Sequence, residues 1–348
     1  MLRGIHIKAL KSIKELNIEC TKMNLLVGIN SSGKSSFIQA LLLASQNVSS
    51  NTGINGPLVS LGEFREVKCV NTLENKIEIN IESDEGYFDI EFEEMDEGVK
   101  ISKVSEFPLS EILDYKERKI HYLSCQRVGS QDIYQKNLDG EFKFGLNGEY
   151  AINYLMKHIS DPLEKELRID DDSYTLYHQV NSWLKYIVNA NISVQDIVGT
   201  DVLKATYSIN SNLNTRPKNV GSGISYIISI IIMCLASDQE DILLIENPEI
   251  HLHPLSQSRV CEFMYFVAKS GRQIFVETHS DHIFNGIRAG IATGKMISED
   301  VSVQFMELDD SGCTISTKVN FGKRGKILNP LDNLFEQFDL DLNKMLGL

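Results

Sequence analysis

Apolar positions recur along this chain in several distinct rhythms. Met1 to Lys8 alternates apolar and polar residues, and residues 1–27 read as two or three strands. Residues 76–105 predict a meander. Ile77, Ile79 and Ile81 alternate, then Phe88, Ile90 and Phe92, then Val99 and Ile101, with Asp84-Glu85-Gly86 and Asp96-Glu97-Gly98 as the turns. Lys119 to Ser124 predicts a further strand. Between about 130 and 200 the rhythm becomes helical. Tyr150, Leu155 and Ile159 share one helix face, and so do Leu176, Val180, Trp183, Leu184 and Ile187. This stretch reads as a helical subdomain inserted into a larger core, with Trp183 packing inside it. Leu203, Ala205, Tyr207 and Ile209 then alternate as a strand. From 219 onward the order is helix, strand, helix, strand, helix. Asp241–Ile245 and Gln273–Val276 are short and nearly all apolar, as central parallel strands covered on both faces are. Val301–Leu308, the turn Asp309-Asp310-Ser311-Gly312 and Cys313–Val319 predict a closing hairpin.

The longest apolar run, Ile224 to Ala236, is too short to cross a bilayer and predicts a buried core helix. No membrane partner is expected, and the N-terminal strand pattern carries no signal peptide. At 348 residues the chain has room for one large domain, read here as a single unit over 1–348. The formal net charge of −14 excludes a uniformly basic nucleic-acid-coating surface but leaves room for a local basic groove. Lys8, Lys11 and Lys14 could mark such an edge or simply a solvated strand face. Six cysteines lie scattered with no C-x-x-C pair, which fits reduced thiols in a cytoplasm.

One motif changes the picture. Gly28-Ile29-Asn30-Ser31-Ser32-Gly33-Lys34-Ser35 fits G-x-x-x-x-G-K-[ST]. The strand Met23–Val27 precedes it and a helix from Ser36 to Ala44 follows. Strand, glycine loop, helix is the geometry that aims backbone N–H groups at phosphates. Asn30, Ser31, Ser32, Gly33, Lys34, Ser35 and Ser36 are therefore the candidate nucleotide cradle. Lys34 can reach the β- and γ-phosphates, and Ser35 can ligate Mg²⁺.

Further chemistry follows in a sensible order. Leu243-Leu244-Ile245-Glu246 ends an apolar strand in a carboxylate, where a Mg²⁺-associated acid belongs. Thr278-His279-Ser280 follows the next apolar strand, so His279 is expected at the same sheet edge, where a neutral imidazole can sense a γ-phosphate or its attacking water. Val220-Gly221-Ser222-Gly223-Ile224-Ser225 opens the apolar helix and offers a second anion site. One nucleotide does not normally need two such helix ends, unless the second closes over the nucleotide of another subunit. His251, His253, His279, Asp281 and His282 also admit a weaker metal-site reading. Arg127 is expected in a structural salt bridge, with a phosphate or nucleic-acid contact as the other reading.

These segments resemble a family. Gly28 to Ser35, Gly221 to Ser225, Glu246-Asn247-Pro248-Glu249-Ile250-His251-Leu252-His253-Pro254 and Glu277-Thr278-His279-Ser280-Asp281-His282 are similar to prokaryotic ABC-type ATPases, in particular the OLD-like and SMC/RecF-like AAA-family group. Leu10-Lys11-Ser12 resembles the F-K-S segment that opens their first lobe. The resemblance implies an α/β, ABC-type P-loop NTPase fold with a central mostly parallel sheet, an N-terminal antiparallel β lobe and the inserted helical subdomain. It implies a homodimer or higher oligomer around two ATP molecules, each held by the phosphate loop of one subunit and by Ser222 and Gly223 of the other. Lys34, Glu246 and His279 become the catalytic set, Ser35 and Glu246 the Mg²⁺ ligands, and Gln46 a candidate Q-loop glutamine. The sequence departs from the family's usual D-E-P at Glu246-Asn247 and from L-S-G-G-Q at Gly221–Ser225. An Asn cannot take a proton, so slow turnover is expected, with Glu246 doing both jobs or Glu249 or Glu277 helping. The core pattern runs close to Leu348, leaving no room for the nuclease domain OLD proteins carry. A separate effector or nuclease partner is therefore expected, in a setting of anti-phage defence or DNA metabolism, with nucleic acid as a further candidate partner. The alternatives are a nearly hydrolysis-dead ATP-binding scaffold, a metal-dependent hydrolase on the histidine cluster, and a monomeric small-molecule kinase.

Overall fold

The architecture comes from a computed structural model. It describes residues 1–348 apart from 97, 210–212, 330, 332–333, 336–341, 343 and 347–348. The expected turn at Asp96-Glu97-Gly98 thus lies partly outside the described residues.

The chain begins β1 (Leu2–Leu10), β2 (Ile13–Glu19) and β3 (Met23–Gly28), followed by α1 (Lys34–Gln46) and the short α2 (Phe64–Val67). The meander is β4 (Lys76–Ser83), β5 (Gly86–Met95) and β6 (Gly98–Ser105). Next come α3 (Leu109–Leu113), β7 (Ile120–Leu123) and β8 (Tyr134–Gln135). The insert carries α4 (Ala151–Lys157), α5 (Leu176–Val188), β9 (Ala190–Asp196) and β10 (Val202–Ile209). The rest is α6 (Ser222–Leu235), β11 (Ile242–Glu246), α7 (Pro254–Lys269), β12 (Gln273–Glu277), α8 (Asp281–Ala292), β13 (Val301–Leu308) and β14 (Thr314–Lys318).

Three sheets result. The N-terminal lobe is a five-stranded antiparallel sheet in the order β2-β1-β4-β5-β6. The central sheet is six-stranded, β14-β13-β3-β12-β11-β7, parallel except for β14 at its edge. The closing hairpin is therefore part of the central sheet, with β13 lying parallel to the phosphate-loop strand β3. The insert is not wholly helical. Residues 190–196 form β9, inside the stretch expected as helix, and join β8 and β10 in a three-stranded sheet. Asn189 ends α5 in the left-handed conformation, and β9 runs straight on from it. An exposed turn of Asn type is hard to separate from a helix continuation by periodicity alone.

Side-chain alternation on the central strands fixes what lies on each face. Met23, Leu25, Val27, Leu243, Ile245, Ile274 and Val276 join one core with α6, α7, α8 and the insert. Leu26, Ile242, Leu244 and Phe275 join the other, with α1 and the N-terminal lobe. The same two-residue period carries Glu246 (after Leu244) and Glu277 (after Phe275) to the α1 side of the sheet. The two glutamates are also directly opposite in the β11–β12 register. α6 is apolar all round because it is buried all round, as the run 224–236 predicts. Trp183 packs the insert onto α7 through Phe263 and Phe266, with ring centroids at 4.8 and 5.0 Å.

A candidate nucleotide site at the end of the central sheet

The loop between β3 and α1 has a backbone that only glycine can supply at two points. Gly28 sits at φ 143° and Gly33 at φ 99°. A Cβ on Gly28 would lie 1.9 Å from Met306 O on β13, and one on Gly33 would lie 2.4 Å from Thr314 Oγ1 on β14. The loop thus wraps tightly against the hairpin. Gly33 is the N-cap of α1, with no side chain capping the helix. The free N–H groups of the first turn therefore face outward and favour an anion.

Lys34 is buried. Its Nζ donates to Gly28 O (3.0 Å), Ile29 O (2.6 Å) and Ser32 Oγ (3.4 Å). Burial lowers its pKa, against the attraction of Glu277 and Glu249. Ser35 Oγ donates to Glu277 Oε1 at 2.7 Å. Glu246 accepts from Tyr122 OH (2.8 Å) and from the Cys125 backbone N–H (2.9 Å). Ser35 is thus paired with Glu277 rather than with Glu246, the carboxylate that the sequence suggests.

Glu277 is the most perturbed carboxylate. Burial, then the adjacent Glu246 and Glu249, push its pKa up to about 7, while the Ser35 hydroxyl and Lys34 pull it down. Its Oε2 is buried without a hydrogen-bond partner. Glu249 Oε1 accepts the His279 backbone N–H at 2.7 Å, its Oε2 has no partner, and burial raises its pKa as well. His279 is exposed at the mouth. Partial desolvation of its ring and the nearby Lys34 lower its pKa, which favours the neutral imidazole at pH 7.

Asn247 explains its own identity. It sits at φ 43°, a left-handed position that Asn tolerates better than Glu does. Its N–H donates to Glu277 O (2.7 Å), and its Oδ1 has no partner.

Together these groups surround one cavity of about 540 Å³, lined by Lys11, Ser12, Asn30 to Ser36, Cys125, Glu246, Asn247, Glu277 and His279. All the expected cradle residues meet there, as do Glu246 and His279. Ser222 and Gly223 do not line it. They open α6 elsewhere, with Ser222 exposed and Gly223 pressed so close to His251 that a Cβ would lie 2.4 Å from its carbonyl oxygen. Cys125 was not singled out as a site residue. The signal for it was present, since the strand at 119–124 predicts that the next residue sits at the sheet's C-terminal edge.

Three readings need correction. Gln46 is fully buried at the far end of α1. Its Oε1 accepts from Leu58 and Val59 N–H, and its Nε2 donates to Gly53 O, so it holds the 53–59 loop and lines no part of the cavity. Arg127 makes no salt bridge among the described residues. Its guanidinium donates to the carbonyls of Ser124, Glu246 and Asn247, which pins the end of β11. The histidine cluster disperses. His251 packs on Tyr226, His253 accepts from Leu255 N–H as cap of α7, and His282 lies beside Asp281. Among the described residues, metal-like spacing occurs instead at Asp170, Asp172 and His178, in a separate cavity of about 780 Å³ against α5.

A family model described as "AAA domain, putative AbiEii toxin, Type IV TA system" matches residues 23–285. The chain belongs to this family. The match runs from the phosphate-loop strand to α8, so it contains the whole cavity except its Lys11–Ser12 edge. No curated protein matches the chain significantly. Solved structures place this AAA domain in the fold of SMC heads. The SmcHead bound to the C-winged helix domain of ScpA is 13% identical, with a TM-score of 0.63 over 92% of this chain and 97% of that one. The SMC head domain from Thermotoga maritima is 11% identical, with a TM-score of 0.51 over 92% and 99%. The Smc head domain bound to the C-terminal domain of ScpA, from Pyrococcus furiosus, is 11% identical, with a TM-score of 0.58 over 99% of both chains. The AAA domain is thus an ABC-type P-loop ATPase fold, and ATP is the ligand its family implies. No helix among the described residues is long and apolar enough to cross a membrane.

The residues present fit a Mg²⁺-bound triphosphate. An uncapped helix start, a mobile-length lysine, a serine hydroxyl and two facing carboxylates converge, and Glu277 Oε2 is buried without a partner.

Proposed function

We propose that this AAA domain binds ATP, dimerises around two ATP molecules and hydrolyses them slowly, so that the ATP-bound dimer acts as a switch for a partner effector or nuclease. The observation that carries this reading is the split of the anion-binding elements. The phosphate loop, Glu246, Glu277 and His279 share one cavity, whereas Ser222 and Gly223 open a helix outside it. A second phosphate-facing helix end is useful to a nucleotide held on another copy. ATP would lie on Asn30 to Ser36. Ser35 and Glu246 or Glu277 would hold Mg²⁺, which would neutralise charge between the phosphates.

Lys34 must leave the carbonyls of Gly28 and Ile29 to reach a phosphate, an exchange of neutral acceptors for a charged one. His279, kept neutral, can accept or donate at a γ-phosphate or its water. Asn247 cannot serve as base, which supports slow turnover. Glu246 and Glu277 are the carboxylates that line the cavity and can take that role, with Glu249 behind them on the His279 N–H.

The family description speaks of a putative toxin and a toxin–antitoxin system, which supports a defence setting. The SMC heads of similar fold are described bound to another protein, ScpA, which supports a protein partner. A cytoplasmic location and one domain over 1–348 remain part of the same reading. The second reading, an ATP-binding scaffold that hardly hydrolyses, is favoured by Asn247 alone.

The test is sedimentation with and without Mg·ATP, beside a turnover assay. ATP-dependent dimers that are lost in Lys34→Ala and in Ser222→Arg support the switch. Dimers with no turnover above background select the scaffold. ATP binding that leaves the protein monomeric sinks both.

A further inference from the structure

One pair of nucleophiles lies outside the nucleotide chemistry. Cys69 and Cys313 are buried to 1% and 3% exposure. With Ala9 they form a small cluster separate from both main cores. Both thiols are free. They come from distant segments. Cys69 N–H donates to Ala9 O on β1, and the neighbour of Cys313, Thr314, donates its N–H to Ser12 O. The dithiol therefore sits where the N-terminal lobe meets the β13–β14 hairpin.

We infer that Cys69 and Cys313 form a redox-active dithiol that closes to a disulfide with a peroxide-class oxidant, tying the lobe to the hairpin that backs the phosphate loop. The two side chains already share one small buried cluster with Ala9, which is the proximity that disulfide closure requires. Access runs through one side chain. Asn71 is exposed, and its Nδ2 donates to Ser311 O (2.8 Å) and Cys313 Sγ (3.4 Å) across the thiols. Swinging it away opens them from the solvent side, beside the exposed turn at Asp309–Gly312. Burial raises the Cys69 thiol pKa, which makes that thiol slow to react until oxidant accumulates.

The chemistry balances. One thiolate attacks a peroxide oxygen, the O–O bond breaks, and a sulfenic acid and one water form. The second thiolate attacks that sulfur and displaces its hydroxyl as a second water. Two thiols are oxidised by two electrons and one peroxide is reduced. The bond would stand one residue from Thr314, whose side chain packs against Gly33 of the phosphate loop. It would also close a loop of more than two hundred residues, which restricts the unfolded chain strongly.

The test uses the full chain, treated with hydrogen peroxide, denatured, alkylated and mapped without reductant. Cys125→Ser protein removes the exposed thiol at the nucleotide cavity. The expected result is loss of two free thiols, a linked peptide joining positions 69 and 313, and a raised melting midpoint, all reversed by dithiothreitol. Cys69→Ser and Cys313→Ser should each abolish the linked peptide and the midpoint rise. Mapping of wild-type protein decides the matter should a variant fail to fold. A link between other cysteines overturns the inference. So do oxygen adducts on Cys313 without a link, or full retention of both thiols at doses that oxidise Cys125.

Discussion

Replacing Glu277 by Gln should make the ligand-free protein less sensitive to pH. Glu277 is 5% exposed, faces Glu246 across the strand register, and carries one oxygen with no partner. Its folded pKa is about 7 against 4.5 for the unperturbed group. The folded state therefore holds the proton more tightly than the unfolded state does. The stabilising contribution is fully present below pH 4.5 and is lost as pH rises through 7. At about 1.4 kcal/mol per pKa unit, wild type should lose on the order of 2–3 kcal/mol between pH 5 and 8, roughly half of it above pH 6. Glutamine keeps the shape and the Ser35 contact without the charge, so that slope should vanish. The assay is urea unfolding in EDTA at several pH values for both proteins. Mg·ATP should reverse the effect, since a cation near Glu277 favours its ionised form. Calorimetry in buffers of different ionisation enthalpy should then show proton release on binding near pH 6.5. A Gln variant with the wild-type slope, or binding without proton release, refutes the reasoning.

Other substitutions test neighbouring claims. Lys34→Ala should weaken ATP binding by roughly 10- to 100-fold, from the ~1.5–3 kcal/mol a charged hydrogen bond contributes, measured by nucleotide titration. Asn247→Glu should raise single-turnover hydrolysis by about 100-fold if a base is what the site lacks, at a stability cost of ~1 kcal/mol for a left-handed Glu; no acceleration removes the assignment of that position. Gly28→Ala should cost ~3 kcal/mol or more, because its Cβ would lie 1.9 Å from Met306 O, and calorimetric melting reads the loss directly. Arg127→Met should cost ~2–4 kcal/mol by orphaning the carbonyls of Ser124, Glu246 and Asn247; an unchanged melting midpoint would show that these bonds are replaced.

What could be read from the residues alone follows a physical divide. Elements stabilised by a local period were legible: β3 and α1 around the glycine loop, the meander β4–β6, the apolar β11 and β12, and the buried α6. Contacts between distant segments were not. Nothing in the order of residues says that β13 pairs with β3, yet this pairing places Met306 and Thr314 against Gly28 and Gly33 and so explains why those two positions must be glycine. Gln46 was a candidate only through the family resemblance. Its role is set instead by the 53–59 loop folding back over it, which no periodicity announces. The same divide explains Glu277. Its carboxylate ends an apolar strand just as that of Glu246 does, but its high pKa comes first from its burial in the folded chain and then from the parallel register that sets the two side by side. Register also turns Asn247 from a missing base into a fitted residue, since a left-handed bend there lets its N–H bond to the Glu277 carbonyl. A carboxylate moved from position 247 to position 277 would keep an acid near Ser35 while changing which backbone carries it, and the Asn247→Glu and Glu277→Gln variants together distinguish that exchange from simple loss of a base.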